Sequence, residues 1–317
     1  MDRIISGGVA QLATQSPIIM TPTHHKHTGR KITGRVLIYA ALILWTFICL
    51  FPIFWTITTS FKVLVDITQG KLIPWLQFQP DWKGWRSLGL SPDTIWENST
   101  SREEFLKRFR NSIIASVGAS AVATIIGSLA AYGLCRFDYK FGPWRNKDIS
   151  FFFLSQLILP PVALAMPLLV LYKELALLDT RIGIILVYTL MVLPIVVWIM
   201  RDQFASIPIE LEQAALVDGS TVWGAFMRIV LPIAGPGLVA AFILSVVLCW
   251  NEYFFAALLT STDAKTLPVM VASQTGSQGN SWWSMAALST AAIAPLAIIG
   301  IFLERYIVKG LTAGAVK

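Results

Sequence analysis

Polar side chains set into apolar sequence are where this chain carries its chemistry. Trp250-Asn251-Glu252-Tyr253 places an amide and a carboxylate between two aromatic rings at the end of a long apolar run. Aromatic faces pack on C–H surfaces while Asn251 and Glu252 exchange hydrogen bonds with hydroxyls, so the group suits an uncharged, polyhydroxylated solute. The alternative is a carboxylate resting in the headgroup region and serving gating or helix packing. Ionisable groups within a bilayer are costly, which makes this one a candidate in a solute pathway. Gln156 is a second, standing four residues before Pro160-Pro161, with Pro167 beyond. Prolines have no N–H, so carbonyls in the preceding turn lose their helical donors; such a break lines a pathway or simply kinks a helix.

Other chemistries lack their residues. H-E-x-x-H, G-x-S-x-G and G-x-x-x-x-G-K-[ST] do not occur, which leaves zinc hydrolysis, a nucleophile elbow and a phosphate-cradling loop unsupported. The chain does not hydrolyse ATP alone. All three histidines fall at His24, His25 and His27, without Cys or carboxylate partners, so a solvated tail competes with a metal site there. Cys49, Cys135 and Cys249 are isolated in or beside apolar runs and read as buried thiols. An intramembrane enzyme built on Glu252 would need a catalytic partner, and no pair is visible in the runs.

Glu212-Gln213-Ala214-Ala215-Leu216-Val217-Asp218-Gly219 forms a polar insert between two apolar runs and reads as a docking surface. Ser206 is placed to cap a helix whose first turn accepts Pro208 and favours Glu210, and Gly219 supplies a left-handed stop. Leu211, Ala214, Ala215 and Asp218 share a face by their offsets, and Ser220 is placed to cap a second amphipathic turn with Trp223, Phe226 and Ile229.

The elements that must hold these residues are membrane spans. Hydrophobic residues make up 55% of the 317 and charged residues 14%, with a mean hydropathy of +0.65; soluble domains carry about 25% charge. Six runs suit a ~30 Å hydrocarbon core: Val36 to Thr59, Ser112 to Cys135, Ile149 to Tyr172, Ile182 to Met200, Ile233 to Leu259 and Met285 to Phe302. The first is too long for a secretory h-region and reads as a retained span. Segments on the side of both termini carry 14 basic and 8 acidic residues against 11 and 10 on the other, so both termini and the Glu212 loop are expected in the cytoplasm. The net charge of +7 then reflects membrane topology rather than nucleic-acid binding. Residues 1–35 read as a cytoplasmic tail and 36–317 as one six-span domain, with an external segment at 61–110, a cytoplasmic loop at 201–232 and a cytoplasmic tail at 303–317. Four tryptophans in the external segment mark either membrane-interface aromatics or a contact surface. In the second run Ala119, Ala123, Gly127 and Ala131 form a small-residue stripe that reads as helix packing.

The Glu212–Gly219 loop, with downstream Phe226, Ile229, Leu231-Pro232 and Pro236, resembles the E-A-A-x-x-D-G cytoplasmic loop of permease subunits in binding-protein-dependent ABC importers. Aligned on Asp218-Gly219, the motif's opening Glu is Gln213 here. The ending Arg305-Tyr306 to Gly310-Leu311-Thr312-Ala313-Gly314-Ala315-Val316-Lys317 is similar to that of the carbohydrate, MalG-like branch. The resemblance implies an all-α integral membrane protein of the type I ABC importer permease fold, lying in a bacterial-type cytoplasmic membrane. It implies a second homologous permease, two ATPase subunits that carry ATP and Mg, and an external binding protein as partners. It places Glu212, Gln213, Ala214, Ala215, Asp218, Gly219 and Phe226 at an ATPase-coupling surface, and Gly310, Leu311, Thr312 and Gly314 at an ATPase-interface tail, where glycines permit turns. Gln274, Gly276 and Gly279, in a Gly/Ser/Gln-rich loop expected to be mobile, correspond to a binding-protein contact. Sugar import is the function implied; import of an amino acid, peptide or anion is the alternative.

Overall fold

The computed structural model describes residues 28–97, 99–276 and 279–313; for 28–33, 141, 275, 276, 279, 280 and 301–313 it describes the backbone only. The histidine cluster and Gly314 lie outside the described residues. The chain divides into two units, Met1–Pro52 and Ile53–Lys317. The described part of the first is the beginning of helix α1, Thr28–Thr59, which is apolar from Gly34 onward.

In the larger unit two short helices, α2 (Leu64–Thr68) and α3 (Lys83–Arg86), precede the long α4, Thr100–Arg136. A β1–β2 hairpin pairing Lys140–Phe141 with Trp144–Arg145 leads to α5 (Asn146–Ile158) and α6 (Pro161–Glu174). Next come α7 (Arg181–Ala205), α8 (Ile209–Val217) and α9 (Val222–Ala225). A π-helical turn at Phe226–Val230 joins α9 to α10 (Leu231–Ile233), then α11 (Gly235–Trp250) and α12 (Phe254–Leu259). The chain continues through α13 (Leu267–Ala272) and a β3–β4 hairpin into α14 (Trp282–Ala313). Among the described residues four helices are long and apolar enough to cross a membrane, and up to six spans result if each of two bent pairs is counted as one. The third run is broken, α5 and α6 meeting at 95° across Pro160. The fifth run is not one helix either: α11 stops at Trp250, and Leu259 belongs to the separate α12.

Helices α4, α7 and α11 make the core. Ala119, Ala123 and Ala131 of α4 are fully buried together with Val192, Val196 and Met200 of α7. A Cβ on Gly127 would lie 2.7 Å from Val196 Cγ1, so the small-residue stripe is what lets the two backbones approach. Of the three free thiols only Cys249 is buried; Cys49 is exposed, contrary to the expectation from its apolar surroundings.

Residues 61–97 are folded onto the helices. Trp85 Nε1 donates to Ser60 Oγ at 3.2 Å, and Trp82 meets Phe61 edge-on at 5.1 Å. A Cβ at Gly84 would lie 2.5 Å from the Trp283 carbonyl, so α3 touches the start of α14 through backbone. Trp75 and Trp96 are largely exposed, and Trp82 is exposed on one side while packing on Phe61 with the other, so the four tryptophans serve both packing and surface.

Asp179 fastens one end of the bundle. Its backbone is left-handed, with φ 54°, a conformation Asp tolerates better than most residues. Its carboxylate accepts from the backbone N–H groups of Ser261, Thr262, Asp263 and Ala264 and from Ser261 Oγ, at 2.9–3.1 Å. Nearby, Asn111 of α4 donates to the carbonyls of Asp263 and Lys265 and accepts from Arg181 Nε. Burial alone would raise the Asp179 pKa, but the N–H donors of Ala264, Asp263 and Ser261 outweigh it and hold the carboxyl below the usual carboxylate range. A depressed folded-state pKa gives stability that is present above the unfolded value and is lost as pH falls through the folded one. Asp179→Asn is expected to lower the stability of the purified protein by about 2 kcal/mol above about pH 5, the deficit narrowing only in stronger acid. Thermal unfolding as a function of pH checks this, and equal midpoints for both proteins at neutral pH would refute it.

Candidate functional site

Three places along the bundle hold the residues singled out by sequence. At the first, α8 begins at Pro208, whose extended backbone (ψ 131°) and missing N–H set its start without a side-chain cap. Ser206 is not that cap. The apolar α7 runs to Ala205, and Ser206 closes it, its Oγ donating back to Gln203 O at 2.7 Å. At the other end Gly219, at φ +87°, is the left-handed stop. Gly219 N–H donates to Leu216 O at 3.1 Å and Ser220 N–H to Ala215 O at 2.9 Å, the paired bonds of a Schellman ending. The second turn is capped by Thr221, not Ser220, with Gly224 N–H donating to Thr221 Oγ1 at 3.1 Å. Its wide π turn lies just before Pro232, which has no N–H to offer the Arg228 carbonyl.

The expected coupling residues separate into two sets. Gln213, Ala214 and Asp218 face outward with Leu211, Leu216 and the 87%-exposed Val217, whereas Glu212, Ala215 and Phe226 are buried. Ala215 therefore does not share an exposed face with Leu211, Ala214 and Asp218. Glu212 is 6% exposed and its contacts are internal. Arg136 Nε donates to Glu212 Oε1 at 2.6 Å and Tyr132 Oη to Oε2 at 2.7 Å, both from the last turns of α4. Arg136 Nη2 also donates to Ile207 O at 2.9 Å, on the link between α7 and α8. The Phe226 ring lies 4.5 Å from that of Tyr132 and 6.1 Å from that of Phe204. One guanidinium and one aromatic cluster thus hold α4, α7, α8 and the π turn together. Glu212, expected at an ATPase-coupling surface, thus has its carboxylate turned inward, where it braces α8 from its buried side. Sequence reading missed Arg136 and Tyr132; a basic residue closing the second apolar run was the available signal.

The second place is a cavity of about 310 Å³ between α5, α6, α7 and α12. Gln156, Leu157, Pro161, Leu190, Pro194 and Phe255 are among its lining residues. Gln156 thus stands at the proline break and on a cavity wall.

The third place is the break between α11 and α12. Trp250 is buried against the Phe109 ring at 5.7 Å, and its Nε1 donates to Ala292 O of α14 at 3.1 Å. Glu252 accepts from Phe255 N–H at 2.9 Å and Ala256 N–H at 3.3 Å, capping α12. Asn251 Nδ2 donates to Val247 O at 2.8 Å, and Tyr253 is exposed. The four residues therefore do not converge on one recess: the tryptophan packs, the carboxylate caps, and Asn251 closes α11. Farther along, Gln274 precedes a short hairpin in which Gly276 pairs with Gly279 and Thr275 with Asn280. The backbone is helical through Gly310, Leu311 and Thr312, so no turn forms at Gly310.

The match to known proteins decides what this architecture is. Residues 108–313 match the family described as "Binding-protein-dependent transport system inner membrane component". The chain belongs to this family. It is 32% identical to the inner membrane ABC transporter permease protein YcjP of Escherichia coli K12 over 92% of this chain and 99% of that protein. It is 32% identical to the trehalose transport system permease protein SugB of Mycobacterium tuberculosis, over 84% of this chain and 92% of the relative. The trehalose/maltose transport system permease protein MalG of Thermococcus litoralis is 30% identical, with 90% and 98% covered. Among solved structures, a chain of a bacterial ABC transporter for the acidic polysaccharide alginate superposes with a TM-score of 0.67, at 20% identity over 90% of this chain and 99% of that one. That likeness shows a shared fold. This protein is accordingly a membrane-embedded permease subunit of an ABC transport system, not an enzyme.

Removing one partner of a buried ion pair leaves the other charge uncompensated, at a cost of about 3–5 kcal/mol. Glu212→Ala is expected to destabilise the protein by that order, and Glu212→Gln by less, because an amide oxygen still accepts from Tyr132. Thermal unfolding of the purified variants measures both. Equal stability of Glu212→Ala and the parent would show that the pair braces nothing.

Proposed function

We propose that this chain is one half of the translocation pathway of an ATP-driven importer for a sugar or sugar derivative. The reading places six spans in a bacterial cytoplasmic membrane with both termini inside, each bent helix pair serving as one span. A second homologous permease completes the pathway, two ATPase subunits bind ATP and Mg, and an external binding protein delivers the solute. Curated relatives whose names give trehalose, maltose or diacetylchitobiose as the transported solute support the sugar class.

The observation that carries the coupling role is α8 itself: a short helix with an exposed Gln213, Ala214, Leu216, Val217 and Asp218 surface, braced behind by Glu212 and Arg136. A cleft of the ATPase takes that surface by shape, since Gln213 offers no charge. Closure of the ATPase pair then moves α8, and the Arg136 bridge passes the movement to α4 and α7 as a rigid body. Helix α7 runs from Arg181, beside the Asp179 clasp, past Pro194 at the cavity, to Ala205 beside α8. Movement at one end thereby reaches the pathway. The tail at Gly310, Leu311, Thr312 and Gly314 lies against the ATPase in this reading, and the Gln274, Gly276 and Gly279 hairpin meets the binding protein.

A Cβ at Gly219 would meet nothing within 4 Å, so a substitution there acts through the backbone alone. A non-glycine residue in the left-handed region costs about 1–2 kcal/mol, more when β-branched. Gly219→Val should leave the permease pair assembled, yet reduce sugar uptake in whole cells by about tenfold or more. Unchanged uptake would remove α8 from the coupling path. Copurification with an ATPase subunit tests the assembly separately.

A further inference from the structure

The 310 Å³ cavity is lined by residues whose backbone, as well as side chains, can carry polarity. In an α-helix each carbonyl accepts from the N–H four residues on, and proline has none to give. Pro160, Pro161 and Pro194 therefore leave the carbonyls of Gln156, Leu157 and Leu190 without α-helical donors. All three of these residues line the cavity, two from α5 and one from α7. The Gln156 side chain adds an amide, and Phe255, Met191 and Leu168 supply apolar walls. No Asp, Glu, Lys or Arg is among the lining residues.

We infer that this cavity receives an uncharged, hydroxyl-bearing portion of the transported solute, with Gln156 as a direct, specificity-determining contact. The inference deepens the sugar-importer reading and rests on it. Under-satisfied carbonyls are acceptors only, and the groups that complete them are O–H donors; an anionic group would face carbonyl oxygens with no cation to offset them. Apolar walls and the Phe255 ring suit the C–H faces that a sugar ring presents between its hydroxyls. The volume is at the small end of ligand pockets, about 300–1,000 Å³, which fits one or two sugar rings rather than a long oligomer. Lining residues from two helices whose carbonyls lack α-helical donors also give these prolines a role beyond bending: they offer hydroxyls acceptors in an otherwise hydrocarbon wall.

The test uses the complete transporter, permease pair and ATPases together, in nanodiscs and in proteoliposomes with its binding protein. Probes are radiolabelled maltose, trehalose, diacetylchitobiose and an acidic glucuronate disaccharide. Uptake identifies whether any sugar is a substrate, and equilibrium binding to the nanodisc complex without binding protein reports the membrane site. The expected result is uptake of a neutral sugar and measurable binding of it. Gln156→Leu then weakens that binding about tenfold, the value of one lost hydrogen bond, while Gln156→Asn, which keeps a neutral amide, weakens it less. Copurification of the ATPase with each variant shows that the complex still assembles. Neutral-sugar uptake without binding to the complex, equal binding by wild type and Gln156→Leu, or uptake confined to the acidic sugar would overturn the inference and leave the importer reading standing. Absence of uptake for every sugar would overturn that reading as well.

Discussion

A buried carboxylate facing a buried guanidinium is the constraint on which the rest depends. Glu212 and Arg136 sit 2.6 Å apart, each side chain about 90% shielded from solvent. An isolated charge in that position would be too costly to keep, so each residue requires the other. Because Glu212 is on α8 and Arg136 closes α4, the requirement fixes a nine-residue helix to a thirty-seven-residue one. Nine residues would be marginal as a free helix. Tethered by this pair, capped by Gly219 and backed by Phe226, α8 becomes a rigid projection whose outward surface is available to a partner.

The same logic of local exception serving long-range order runs through the bundle. Toward the other end of α4, roughly 37 Å from Arg136 at about 1.5 Å per residue, Asn111 and the Asp179 clasp hold a loop that would otherwise leave backbone C=O and N–H groups without partners. Between these two fastenings the α4–α7 contact is built largely from alanine, glycine and valine, with Thr189 Oγ1 donating across it to Ala119 O at 3.4 Å. Pro160, Pro161 and Pro194 then take backbone donors out of the helices. A tightly fastened frame around a deliberately broken middle is an arrangement in which movement at α8 can be felt at the cavity without the frame coming apart.

Much of this was legible in the residues themselves. Gly219 announced its left-handed stop because no other residue ends a helix so cheaply, and Pro160-Pro161 announced the break because two missing N–H groups cannot be hidden in an apolar helix. The exposure of the Gln213–Asp218 surface followed from a polar insert between apolar runs. What could not be read was the direction of side chains whose partners lie far along the chain. Glu212 faces Arg136 across 76 residues, and Trp250 meets Ala292 across 42. Asp179 binds backbone more than 80 residues away, and backbone donors leave no mark in the sequence. Ser206 and Ser220 failed as caps for a nearer reason: Pro208 and Thr221, one or two places on, took the positions first.

A double-mutant cycle across Glu212 and Arg136, read as sugar delivered per ATP hydrolysed by the reconstituted importer, tests the central claim most directly. Glu212→Gln and Arg136→Gln should each lower that ratio, and the double variant should lose no more than the worse single variant, because one brace has been removed only once. Losses that simply multiply would mean that the two residues act independently, and that the bridge between α8 and α4 does not carry the coupling.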